Sequence, residues 1–265
     1  MDSHVQIPKC VLKQFKSQDG KVWHLDLAQG NIGLSAAAKL GTEEDYYSKD
    51  VEDILCTIVE TPLGKLRSII SLEVVKDGDS ITLHNTAEKT LKNYIIASIA
   101  RSKMMLDVFC HRSLTAIATA DRENHNDPVR LSLRDGSSMH KLFGTWEMGV
   151  LVNESHLGFV VPRNCFYIAG VFKSPHFVAP ITPNLSLVLI DSNSRPESKK
   201  YIHTITYVND EDIIKQLNEN ALHQEYITNK CFIAGIERTE LERLKQVLEA
   251  NRSTYEKEWE ELQRI

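Results

Sequence analysis

Residues 145–190 decide the fold. Thr145 to Val152 reads TWEMGVLV, Leu157 to Val161 reads LGFVV, Phe166 to Phe172 reads FYIAGVF and Leu185 to Ile190 reads LSLVLI. These short runs of β-branched, aromatic and leucine residues are punctuated by Gly144, Asn153, Pro162, Gly170, Pro175, Pro180 and Pro183. Short apolar runs bounded by turn formers are the mark of strands.

Outward toward the N-terminus the period changes. Val51, Ile54, Leu55, Ile58 and Val59 recur at helical spacing and predict a helix from Lys49. Thr61-Pro62 reads as an N-cap and first-turn proline, opening a second helix through Leu63, Leu66, Ile69 and Ile70 that Lys76 to Asp79 ends. Asn85 or Thr86 caps the longest helical stretch, expected to run to about Ala120 with one break near Ser102, followed by a loop from Asp121 to Asp127. Nearer the start, a short helix from Pro8, a turn at Gln18-Asp19-Gly20 and a strand from Lys21 to Leu27 are expected, before a polar stretch from Thr42 to Ser48.

Outward toward the C-terminus, residues 195–200 read as an exposed linker and Tyr201 to Val208 as a strand. A helix from Asp210 carries Ile213, Ile214, Leu217, Ala221 and Leu222 on one face, and Cys231 to Ile236 is a short strand. Residues 237–265 form a charged amphipathic helix with Leu241, Leu244, Leu248, Asn251, Tyr255 and Leu262 near heptad positions. That stripe suits a homodimer through the C-terminal helix, or packing of the helix onto its own domain. A helical N-terminal half, a strand-rich middle and a C-terminal helix describe an α+β fold rather than a doubly wound sheet. The expectation is one domain over 1–265, divisible into a helical part, 1–127, and a strand-rich part with terminal helices, 128–265.

Composition bounds the function. A net charge of −5 gives no general attraction to nucleic acid or acidic membranes. Cys10, Cys56, Cys110, Cys165 and Cys231 are scattered, with no C-x-x-C pair, which argues against a disulfide framework or a zinc knuckle. The start, MDSHVQIPKC, lacks the apolar core of a secretory signal, and no apolar run is long enough to span a bilayer. A cytoplasmic protein without membrane contact is the expectation. No phosphate-cradling glycine loop, H-E-x-x-H or G-x-S-x-G motif is present, and the ten histidines show no metal-ligand spacing. Glu52 and Glu60 stand out, two turns apart on one helix. Carboxylates so spaced suit Mg²⁺ or Mn²⁺, or shared acid–base work, and equally a solvated helix face.

The opening His4-Val5-Gln6-Ile7-Pro8-Lys9-Cys10-Val11-Leu12-Lys13-Gln14-Phe15 resembles that of a bacterial family, domain of unknown function 4238. Glu43 to Tyr47, Val51 to Leu55, Ile58-Val59-Glu60, the helix around Leu91 to Arg101, and Pro180-Ile181-Thr182-Pro183 with Leu187-Val188-Leu189 resemble its later blocks. Two places depart from it. Val5 stands where a second histidine is common, and Pro162-Arg163-Asn164-Cys165 stands where the family shows Ser-Asp-x-Pro. The resemblance implies an antiviral defence effector with metal-dependent nuclease or other hydrolytic activity. His4, Glu52 and Glu60 are then the catalytic set, Glu52 and Glu60 the metal ligands, and Arg101 or Arg163 the phosphate binders, with nucleic acid or a phage protein as partner. The alternative is a non-catalytic sensor or binding protein of a defence or mobile-element system. His4 is equally suited to tying the N-terminus to the core by hydrogen bonds.

Overall fold

The computed structural model describes residues 3–5, 7–44, 48–75, 85–101, 126–134, 136–170, 176–193, 196–200 and 202–264. In chain order the elements are β1 (Ser3–Val5), α1 (Lys9–Leu12), β2 (Val22–Asp26), β3 (Asn31–Ser35), β4 (Thr42–Glu44), α2 (Lys49–Leu55), α3 (Thr61–Val75), α4 (Asn85–Arg101), α5 (Asn126–Leu133) and α6 (Ser138–Leu142). Then follow β5 (Trp146–Asn153), β6 (Val161–Pro162), β7 (Tyr167–Ala169), β8 (His176–Thr182), β9 (Leu185–Asp191), α7 (Pro196–Lys199), β10 (Ile205–Val208), α8 (Glu211–Thr228), β11 (Phe232–Gly235) and α9 (Arg238–Leu262). The fold is α+β.

The centre is a five-stranded sheet in the order β10-β5-β9-β8-β7, antiparallel except that β10 runs parallel to β5. One of its faces, carrying Met148, Val150, Phe177, Ala179, Leu187 and Leu189, packs with α2, α3 and α4. The opposite face, with Leu151, Val178, Val188 and Ile190, meets Ile214, Leu217, Ala221 and Leu222 of α8. Both faces are covered, so β9 reads as a nearly unbroken apolar run instead of alternating. A second sheet, β3-β2-β11-β6, packs beside α8 and α9 through Leu25 and Ile233. Its β2 is hydrogen-bonded to β11, so this sheet joins residues from both sides of position 127. A ribbon of β1 and β4 pairs His4 with Glu43.

Several expectations are corrected. The first two helices are one continuous rod. A π-helical turn, Cys56–Glu60, joins α2 to α3, and the Thr61 N–H donates to the Cys56 carbonyl. Thr61 is therefore no N-cap. Pro62 lacks an N–H and its ring would crowd the carbonyl four residues back in a regular helix, and the widened turn lets it stay inside the rod. Leu157 to Val160 is irregular although Phe159 and Val160 are buried, because the Phe159 N–H goes to Pro183 and the Val160 N–H to the Asn218 side chain. A strand at His176–Thr182 forms despite Pro180, where the pairing with β9 shifts register. Strands β3 and β4 arise where none was expected. Asn126 and Asp127 begin α5 instead of ending a loop, with Pro128 in its first turn. The linker holds the one-turn α7, and among the described residues of the following segment the strand is Ile205–Val208.

The expected helix beyond Arg101, its break at Ser102 and the loop from Asp121 lie outside the described residues. The C-terminal stripe is engaged within the chain. Leu241, Leu244 and Leu248 are buried against the second core, and Tyr255 lies against His223 and Tyr226. Among the described residues, no helix is long and apolar enough to cross a membrane.

Candidate functional site

Glu52 and Glu60 sit on the rod formed by α2 and α3. In an unbroken α-helix a side chain eight residues on would lie about 80° past two full turns. The π turn slips the register by one residue, taking back about 100° and returning Glu60 to within about 20° of the Glu52 face. Val51, Leu55, Val59 and Leu63, at intervals of four, hold the other side of the rod in the core.

Glu60 is half buried, and its carboxyl has four dominant influences. Burial pushes its pKa up, the Arg101 guanidinium pulls it down, the Glu52 carboxylate raises it again and the Lys9 ammonium lowers it. Arg101, the last described residue of α4, is only 6% exposed. Lys9 and Cys10 arrive on α1, where the Cys10 thiol donates to the Glu60 carbonyl at 3.8 Å and Arg67 of α3 donates to the Cys10 carbonyl at 3.3 Å. Burial, with Glu60 next, pushes the Cys10 thiol up to about 11, which keeps it protonated and a poor nucleophile.

Behind Arg101 the face of α4 continues with Ser98 and Tyr94, spaced to stack on one side of the helix. Burial raises the Tyr94 hydroxyl well above its usual range, the Cys165 thiol beside it adding to the rise. Cys165 is raised to about 11 by burial, and Tyr94, Arg101 and Ser98 act to lower it while Glu225 raises it. Cys165 is therefore a junction between two polar clusters.

The second cluster surrounds Glu225 of α8, which is 1% exposed. Burial lifts its carboxyl to about 8, against the lowering effect of the Asn164 N–H, the Asn229 amide and the Arg163 guanidinium. The Asn164 N–H and the Asn229 Nδ2 each donate to it at 3.1 Å. Arg163 also acts on the Cys231 thiol, which burial raises to about 11.

The structure thus brings Glu52, Glu60 and Arg101 together, with Lys9 added, and puts Arg163 with Glu225 and Cys231. The side chain of His4 lies outside the described residues; its backbone is in β1, five residues before the start of α1. The described donors fit a divalent ion poorly. Arg101 and Lys9 already balance Glu52 and Glu60, and among the described residues no third carboxylate, thiol or imidazole joins that pair at metal-ligand spacing. Sequence reading missed Lys9 and Glu225. Glu225 had a legible signal, an acid one turn beyond Ala221 on the apolar face of its helix. Lys9 had none beyond its place in the opening segment. No protein-family model matches the chain, and no curated protein or solved structure matches it significantly.

Proposed function

We propose that this chain is a hydrolytic effector in which Glu60 is the acid–base group. Burial and then Glu52 raise its affinity for a proton, and Arg101 and Lys9 face an anionic, phosphate-bearing substrate. The supporting observation is the Glu60 carboxyl itself, half buried, raised by burial and by Glu52, and set opposite a guanidinium. Acid–base catalysis needs a carboxyl whose affinity for protons has been lifted toward neutrality, and burial beside a like charge is the physical route to it. Nucleic acid as substrate, and antiviral defence as setting, rest on the resemblance of the opening segment. With a net charge of −5, such a substrate must be held by local cations, and Arg101 and Lys9 are the ones that act on Glu60 among the described residues.

A second reading, a non-catalytic binding protein, is favoured by the burial of Arg101, whose 6% exposure suits a structural ion pair better than capture of a phosphate. Expression of wild type, His4→Ala, Glu52→Gln and Glu60→Gln in bacteria separates the two, with growth and the integrity of total RNA and DNA followed with and without phage infection. Nucleic-acid loss that Glu60→Gln abolishes while the variant stays folded supports the hydrolase. Identical behaviour of wild type and all three folded variants in both conditions rejects it and leaves the binding reading.

A further inference from the structure

Glu88, Glu147 and His203 converge, far apart in sequence and carried by three different segments. Glu88 is in the first turn of α4, Glu147 is the second residue of β5, and His203 lies in the turn that precedes β10. One ligand atom from each lies within 4.8 Å of the other two. His203 Nε2 is 3.5 Å from a carboxylate oxygen of Glu88 and 3.5 Å from one of Glu147.

From these contacts we infer a Zn²⁺ site formed by Glu88, Glu147 and His203. Both 3.5 Å separations are long for a hydrogen bond between imidazole and carboxylate. They match the edge of a tetrahedron with bonds of about 2.1 Å, whose ligands stand about 3.4 Å apart. The third edge, between two carboxylates on long side chains, closes by rotation of their terminal torsions. An ion there also relieves the repulsion of two carboxylates converging on one imidazole. Lys92 occupies only the other oxygen of Glu88, at 2.8 Å.

The ligands stand on fixed backbone. The His203 N–H donates to the Met148 carbonyl at 2.8 Å, and the Val150 N–H to the Thr204 carbonyl at 3.0 Å, which clamps the turn to the strand carrying Glu147. Glu147 is itself in register with Ile190 of β9. His203 takes the left-handed backbone conformation, at φ 54°, that aims its ring back at β5. The side chains are 23%, 35% and 47% exposed for Glu88, Glu147 and His203, so one side of the site is open to water as a fourth ligand. One imidazole and two carboxylates select Zn²⁺ over Mg²⁺ and Ca²⁺, which take oxygen ligands in larger number. The bound ion fastens the start of α4 to the β5–β10 edge.

The test uses the full chain, stripped with a chelator and dialysed. Zn²⁺ is titrated by calorimetry, and Co²⁺ is followed by its visible absorption, which is intense only in tetrahedral surroundings. His203→Asn keeps a residue that tolerates the left-handed backbone and removes the imidazole. Glu147→Gln removes one carboxylate. The expected result is a single tight Zn²⁺ site and a tetrahedral Co²⁺ band in wild type. Each variant should lower the affinity at least about 10-fold and lose the band, with unchanged circular dichroism of the metal-free protein. Glu60→Gln should bind Zn²⁺ as wild type does, so this site stands or falls apart from the proposed hydrolytic function. Wild-type affinity in His203→Asn and Glu147→Gln, or no Zn²⁺ binding by the wild type, overturns the assignment.

Discussion

Glu225→Gln should change how stability depends on pH, and the size of the change follows from the site. In the fold, burial holds the carboxyl protonated up to about 8, whereas an ordinary glutamate ionises at 4.5. The native state therefore keeps a proton that the unfolded chain releases. The stabilisation is fully present below 4.5 and is lost as pH rises toward 8. Ionisation favours the unfolded chain by about 1 kcal/mol at pH 5 and about 3 kcal/mol at pH 7, a loss of about 2 kcal/mol across that interval. For a chain of 265 residues this corresponds to about 5 °C in Tm.

Glutamine does not titrate. Its carbonyl still accepts the Asn164 N–H, and Asn229, an amide, can present its oxygen to the new NH₂ group. Thermal unfolding followed by circular dichroism at pH 5, 6, 7 and 8 should show the variant gaining on wild type as pH rises, by about 5 °C in relative Tm between pH 5 and 7. A constant difference between the two proteins across the range would refute the reasoning, since it would mean that Glu225 ionises in the fold as it does in the unfolded chain.

His176 should produce the opposite slope. Burial lowers its ring to about 4 from the ordinary 6.5, so its contribution is present above 6.5 and lost as pH falls through 4. His176→Phe should then remove about 2 kcal/mol of the destabilisation seen between pH 7 and pH 5, read by urea unfolding at both values. Leu244→Ala empties a fully buried position where α9 meets the second core, and chemical denaturation should show a loss of about 2–5 kcal/mol. Iodoacetamide at pH 8 should label exposed Cys56 well before Cys10, Cys165 and Cys231, whose thiols burial holds near 11; mass spectrometry of peptides over time gives the order. With Leu241, Leu244 and Leu248 used inside the chain, light scattering should report a monomer of 30.1 kDa.

What the sequence disclosed follows from how local each signal is. The strands β5 and β9 announce themselves as short apolar runs and the helices α8 and α9 by their period, because burial of one or two faces is written into neighbouring residues. The strand at His176–Thr182 does not, since Pro175, Pro180 and Pro183 look like punctuation, and only the bulge in its pairing with β9 makes room for Pro180. The π turn is hidden by Pro62, whose commonest helical position is the first turn. Its effect on Glu60 is a rotation that no spacing rule based on a regular helix includes. In the same way Glu52 and Glu60 are legible as partners because one helix carries them, and only a resemblance points to Arg101. Glu88, Glu147 and His203 come from three segments, and their meeting depends on the parallel pairing of β10 with β5.

Glu60 and Glu225 pose one physical question with two separable answers. Both are carboxyls that the fold holds protonated above their ordinary range, and both reach Cys165 or the arginine beside it. A buried carboxyl is costly to ionise, so its amide should stabilise the chain at neutral pH at either position. Where the acid serves only the scaffold, the gain in stability comes with unchanged behaviour in cells. Where it serves chemistry, the gain comes with loss of function, because the proton affinity that destabilises the fold is the property the reaction uses. Glu225, sealed among Asn164, Asn229 and Arg163, should fall in the first class. Glu60, half open beside Glu52 and Lys9, should fall in the second. Glu60→Gln that is more stable than wild type at pH 7.5 and inactive during phage challenge would place the proton on the reaction path. Glu60→Gln that is more stable and fully active would put Glu60 in the class of Glu225, a buried acid that serves only the scaffold.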